Sequence, residues 1–165
     1  MAALSAGTKA PDFELKVIDG KQFSLGEALG RGPVLLAFFK VSCPTCQYAF
    51  PFLERLYRAY GHKGLTMVGI SQNPNEETAA FTKEFGITFP VLLDPHDSYP
   101  VSNAYGLTNV PSLFWIAPDG EIEISSVGWL KADFEQINRK MAEVGKITPA
   151  VVFKAGENVR DFQAG

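Results

Sequence analysis

Six apolar residues in succession, Val34-Leu-Leu-Ala-Phe-Phe39, stand between Gly32-Pro33 and Lys40. The run is far shorter than the roughly 20 residues a membrane span needs. It also lacks the polar alternation of a half-exposed strand, so it reads as a strand covered on both faces. Leu65-Thr-Met-Val-Gly-Ile70 has the same character. Strands of this kind need helices above and below, and the intervening segments supply them. From about Cys43 to Tyr60, Cys46, Ala49, Leu53, Leu56 and Tyr60 recur at steps of three and four. Glu54, Arg55 and Arg58 fall off that stripe, and Gly61 ends it. Asn73-Pro74 with Glu76 and Glu77 opens a second helix, which carries Phe81 and Phe85 inward and closes at Gly86.

The remaining elements follow from local chemistry. Phe13–Ile18 alternates, Asp19-Gly20 turns, and Lys21–Leu25 returns as a hairpin strand. Val91–Leu93 is a short strand, and Ser98–Tyr105 a short helix ended by Gly106. Ser112–Ile116, Pro118-Asp-Gly120 and Glu121–Ile124 read as strand, turn and strand. A last helix is expected from near Asp133, with Gln136 three residues on as in a capping box, burying Phe134, Ile137, Met141 and Val144. Residues 147–165 have no pattern beyond a short extended stretch at Val151-Val152-Phe153.

The alternation of strands and helices predicts an α/β fold with a central mixed sheet flanked by helices and an N-terminal β-hairpin. At 165 residues, 46 % hydrophobic and 20 % charged, the chain is expected to be one domain over 1–165. A net charge of −3 gives no electrostatic reason for a nucleic acid or acidic membrane partner. Met1–Thr8 has neither a basic nor a long apolar stretch, so the sequence as written is expected to be cytoplasmic; a removed export signal would change that.

Cys43 and Cys46 are the chain's two cysteines. A bridge across so short a loop constrains little unfolded-chain entropy, so reactivity explains the pair better than stabilisation does. Cys43 falls in the first turn of the predicted helix, where free N–H groups and the dipole favour a thiolate, the attacking form. The i, i+3 spacing puts Cys46 on the same side and one turn deeper, placed to resolve a mixed disulfide. Pro44 suits a first-turn position, which needs no N–H donor. A zinc site would need further ligands, and His62 and His96 are isolated, so neither a metal nor an organic cofactor is expected. Lys40 is a candidate for stabilising the thiolate and equally a solvated strand end. Thr45 is a candidate for a hydroxyl contact to sulfur and equally a plain helix residue. Trp115 and Trp129 read as packing residues, and His62 and His96 as surface ones.

From about Gly7 to Val144 the chain resembles the thioredoxin superfamily, in particular the TlpA-like and AhpC/TSA-type redoxins. Gly7-Thr-Lys-Ala-Pro-Asp-Phe-Glu-Leu15 is similar to the opening of the AhpC/TSA group, and Phe38-Phe39 before Ser42-Cys-Pro-Thr-Cys46 to the joint between strand and active helix. Pro51 matches the family's mid-helix proline, a residue that costs about 3 kcal/mol in a straight helix and so implies a bend. Val110-Pro111 matches the family's cis-proline, which the resemblance places against the cysteines, with the Val110 backbone docking an extended partner chain. The implied activity is thiol–disulfide exchange with protein or low-molecular-weight thiol partners and a reducing partner, contributing to redox homeostasis and antioxidant capacity.

Three positions depart from the pattern. Ser42 replaces the usual Trp, Ala37 a buried acid, and Ala49 the Glu of many TlpA-like proteins. No carboxylate in the motif is left to take the Cys46 proton. The rival reading is a peroxidase with Cys43 as peroxidatic cysteine. Peroxiredoxins use Pro-x-x-x-Thr-x-x-Cys and an arginine; here Leu36 and Lys40 stand at the Pro and Thr positions, and Val110-Pro111 where the arginine would be. A binding module without catalysis is the third reading, and the intact cysteine pair counts against it.

Overall fold

A computed structural model describes residues 3–165. The apolar run is β3 (Val34–Phe39), with all six residues buried. Its alternate side chains feed two cores. Leu35, Ala37 and Phe39 enter one, with Leu53 and Leu56 of α2 (Pro44–Tyr60), Phe81 of α3 (Asn75–Phe85) and Ile137 and Met141 of α5 (Lys131–Gly145). Val34, Leu36 and Phe38 enter the other, with Leu25 and Ala28 of α1 (Leu25–Leu29) and Val101 of α4 (Pro100–Ala104). A strand with apolar groups at every position is thereby satisfied on both sides.

Among the described residues the main sheet has seven strands in the order β2-β1-β5-β4-β3-β6-β7. β3, β4 (Thr66–Ser71) and β5 (Val91–Leu93) run parallel. The hairpin of β1 (Glu14–Val17) and β2 (Gln22–Ser24) adds antiparallel to β5. On the other side β6 (Ser112–Ile116) and β7 (Ile122–Val127) follow antiparallel. Phe38 pairs with Ser112, so the entry to β6 lies at the same sheet end as the exit from β3. Central mixed sheet, flanking helices and N-terminal hairpin are all as expected.

Several local features differ from expectation. Leu25 begins α1 instead of ending the return strand, because the Ser24 hydroxyl caps the Glu27 N–H. α5 starts at Lys131, ahead of Asp133, whose carboxylate instead accepts from the Ser126 hydroxyl at 2.7 Å, so no capping box forms. Val151–Phe153 is irregular; the strand in the tail is β9 (Phe162–Gln163), paired with β8 (Trp129–Leu130). α2 continues unbroken through Pro51.

Glu54 is only 4 % exposed although it lies off the apolar stripe. Its carboxylate accepts the Thr88 N–H at 2.8 Å and the Thr88 hydroxyl, and pairs with Arg58 at 3.1 Å. It thus pins α2 to the turn that leads into β5. Glu54→Ala leaves that N–H without its acceptor and is expected to cost about 1–3 kcal/mol. The measurement is the urea midpoint, lowered with its slope unchanged.

Candidate functional site

The site is built where β3 ends. The Phe39 carbonyl accepts the Gln72 N–H at 3.0 Å, Asn73 accepts the Val41 N–H at 3.0 Å, and the Gln47 side chain donates to the Val41 carbonyl at 2.9 Å. These bonds fix the short link from strand to helix. Cys43 then takes an extended conformation (φ −80°, ψ 115°) as the N-cap of α2, with Pro44 at the first helical position.

The Cys43 sulfur acts as the capping group. It accepts the Cys46 N–H at 3.1 Å, the bond a serine or aspartate oxygen makes at this position. The Cys43 thiol also donates to the Val110 carbonyl at 3.4 Å. Cys43 is half-buried, whereas Cys46 is fully buried on the core side of the helix. Burial pushes the Cys46 thiol up, and a hydrogen bond with the Cys43 side chain adds to the effect. Cys46 is therefore held as a neutral thiol beside its partner. The Val110–Pro111 peptide is cis and lies across from Cys43.

Two other candidates are placed differently. The Lys40 ammonium lies over the Tyr99 ring, 5.9 Å from its centroid, and makes no hydrogen bond to either sulfur among the described residues. It is the Lys40 carbonyl that serves the site, accepting the Cys43 N–H at 3.3 Å. The Thr45 hydroxyl makes no sulfur contact either: it donates to the Ala164 carbonyl at 2.6 Å and accepts from the Gln163 amide at 2.8 Å. Trp115 and Trp129 are buried as expected, the latter among Tyr48, Phe52 and Phe134.

Thr45's partners belong to the segment that carries no sequence pattern. Residues 147–165 run back along α2 from its end to its start. Tyr60 accepts the Ala150 N–H at 2.6 Å, and Arg55 donates to the Val152 carbonyl and pairs with Glu157, both at 2.7 Å. Tyr48 accepts the Arg160 N–H at 3.0 Å, and Gln163 and Ala164 reach Thr45. The Arg55 guanidinium, helped by the Lys154 N–H, holds the Glu157 carboxyl down to about 2. These contacts join residues 90 to 119 positions apart, beyond the reach of any local periodicity.

The profile of the AhpC/TSA family matches residues 6–125. The thiol-disulfide oxidoreductase ResA of Geobacillus thermodenitrificans is 32 % identical over 136 residues, covering 81 % of this chain and 76 % of that protein. The thioredoxin-like protein YneN of Bacillus subtilis is 30 % identical over 138 residues, 81 % of this chain and 78 % of that one. Among solved structures, a thiol:disulfide interchange protein of the thioredoxin family from Chlorobium tepidum superposes with a TM-score of 0.69. It is 27 % identical and matches 84 % of this chain and 99 % of its own.

The unequal burial of the two sulfurs has a direct consequence. In the reduced protein, iodoacetamide between pH 6 and 9 is expected to modify Cys43 alone, since burial keeps Cys46 protonated throughout that window. Mass spectrometry of the alkylated peptides checks it; label on Cys46 at pH 8 in the folded protein would contradict it.

Proposed function

The chain belongs to the AhpC/TSA family, and on that footing we propose that it is a thiol–disulfide oxidoreductase in which Cys43 attacks and Cys46 resolves. The observation that carries this reading is the pairing of one half-exposed sulfur, capping α2, with a fully buried sulfur one turn below it. An amide N–H aimed at the outer sulfur stabilises negative charge there, whether Cys43 is attacking or leaving.

In the first step the Cys43 sulfur attacks one sulfur of a partner disulfide. A Cys43–partner disulfide forms and the other half leaves as thiolate. The Cys46 sulfur then attacks the Cys43 sulfur, the bond to the partner breaks, and the Cys43–Cys46 disulfide closes. The dithiol gives up two electrons and two protons; the partner disulfide becomes two thiols. A dithiol reductant runs the same steps in reverse. The Cys46 proton ends on the departing partner thiolate, which becomes the second thiol; no carboxylate hydrogen-bonds to Cys46 among the described residues. The substrates are thiols and disulfides, of proteins or of small molecules.

The peroxidase reading lacks its polarising groups. Lys40 offers no hydroxyl where the threonine would stand, Leu36 replaces the proline, and Val110–Pro111 offers no guanidinium. Losing a single such donor typically costs about 10²–10³ in rate. Stopped-flow oxidation of the reduced protein is accordingly expected to be faster with glutathione disulfide than with hydrogen peroxide. Equal rates, or a faster reaction with peroxide, would favour the peroxidase.

A further inference from the structure

The end of the tail lies against Val110. Asn109 donates its side-chain amide to the Gly165 carbonyl at 3.2 Å, and a Cβ on Gly165 would clash with the Val110 carbonyl oxygen. That oxygen is the one the Cys43 thiol reaches. On the other side the segment passes over Gly128, where a Cβ would meet the Gln163 carbonyl oxygen at 2.8 Å and the Gly165 nitrogen at 3.1 Å. Two glycines, one on each side of the contact, thus let two backbones approach closely. Gln163 itself is held twice, by the β8–β9 pairing and by Thr45.

An extended polypeptide offering a disulfide to Cys43 would lie along the Val110 backbone as an added strand does. Residues Gln163–Gly165 already occupy that side.

We propose that Gln163–Gly165 is a specificity-determining strap that excludes extended polypeptides from Cys43, so that the protein acts on low-molecular-weight disulfides, which need no strand-like seat along Val110. The proposal rests on the oxidoreductase reading for its chemistry, but the occlusion itself is independent of turnover. The exchange is the one already written, with a low-molecular-weight disulfide as the electron acceptor and two small thiols as its products.

The test compares the intact chain with one ending at Asp161. Alkylation of Cys43 by a polyethylene-glycol maleimide and by iodoacetamide is timed on both, along with oxidation by glutathione disulfide and by a disulfide-linked extended peptide. Removing the strap is expected to raise the rates with the bulky reagent and the peptide about tenfold or more, the factor set by a closed form that is nine-tenths populated. The iodoacetamide and glutathione disulfide rates stay within about twofold. Unchanged bulky-reagent rates, or equal gains with small and bulky reagents, overturn the strap. If the shortened chain fails to fold, Gly165→Ala takes its place, since it keeps the other tail contacts and displaces only the end from Val110; the same gain is expected and its absence is decisive. A loss of glutathione disulfide reactivity in the intact protein would instead count against the oxidoreductase reading, while the maleimide comparison would still decide the strap.

Discussion

The Cys46 amide N–H aimed at the Cys43 sulfur does two things at once. It terminates the helix by satisfying one of the N–H groups that every α-helix leaves open at its start. It also sets a sulfur atom where developing negative charge meets the positive end of a dipole. Pro44 fits because the N–H of a first helical residue has no partner within the helix, so none is lost, and the Gln47-to-Cys43 backbone bond of 3.0 Å closes the first turn beneath it. A redox centre is obtained from ordinary capping geometry, with sulfur in place of oxygen.

The sheet carries the second half of the site. β6 runs antiparallel to β3, so a segment over 60 residues away in sequence arrives opposite Cys43 and presents the Val110 carbonyl to it. Two faces of core hold this junction, and α2 is fastened from outside as well. Glu54 ties it to the turn before β5, while Tyr60, Arg55, Tyr48 and Thr45 take successive contacts from the tail. The side of α2 off its apolar stripe is thus an internal docking surface, which explains why Thr45, Tyr48 and Arg55 are engaged where an amphipathic pattern alone predicts solvent.

Much of this is legible in the chain. β3 announces itself through six apolar residues, α2 through its stripe and its Gly61 stop, and the cysteine site through its place between the two. The family resemblance points to the Val110–Pro111 cis peptide. The rest is hidden for physical reasons. Ser24 and Glu27 have the spacing of a helix start, but a hairpin signal just before them extends the expected strand too far. Asp133 has capping chemistry, but a tertiary bond to Ser126 claims it. Thr45 reads equally as a sulfur contact or a plain helix residue, because its actual partners lie 118 and 119 positions away. The tail has no periodicity because its conformation is dictated by the helix it crosses.

The central claim is that the outer sulfur alone meets the substrate and the inner one only closes the cycle. Trapping the covalent intermediate tests this most directly: reduced Cys46→Ser and Cys43→Ser proteins are each mixed with a disulfide substrate, and the adduct is mapped by mass spectrometry. A stable mixed disulfide on Cys43 in the first protein and none in the second is the predicted result. An adduct on Cys46, or none in either protein, would contradict the account.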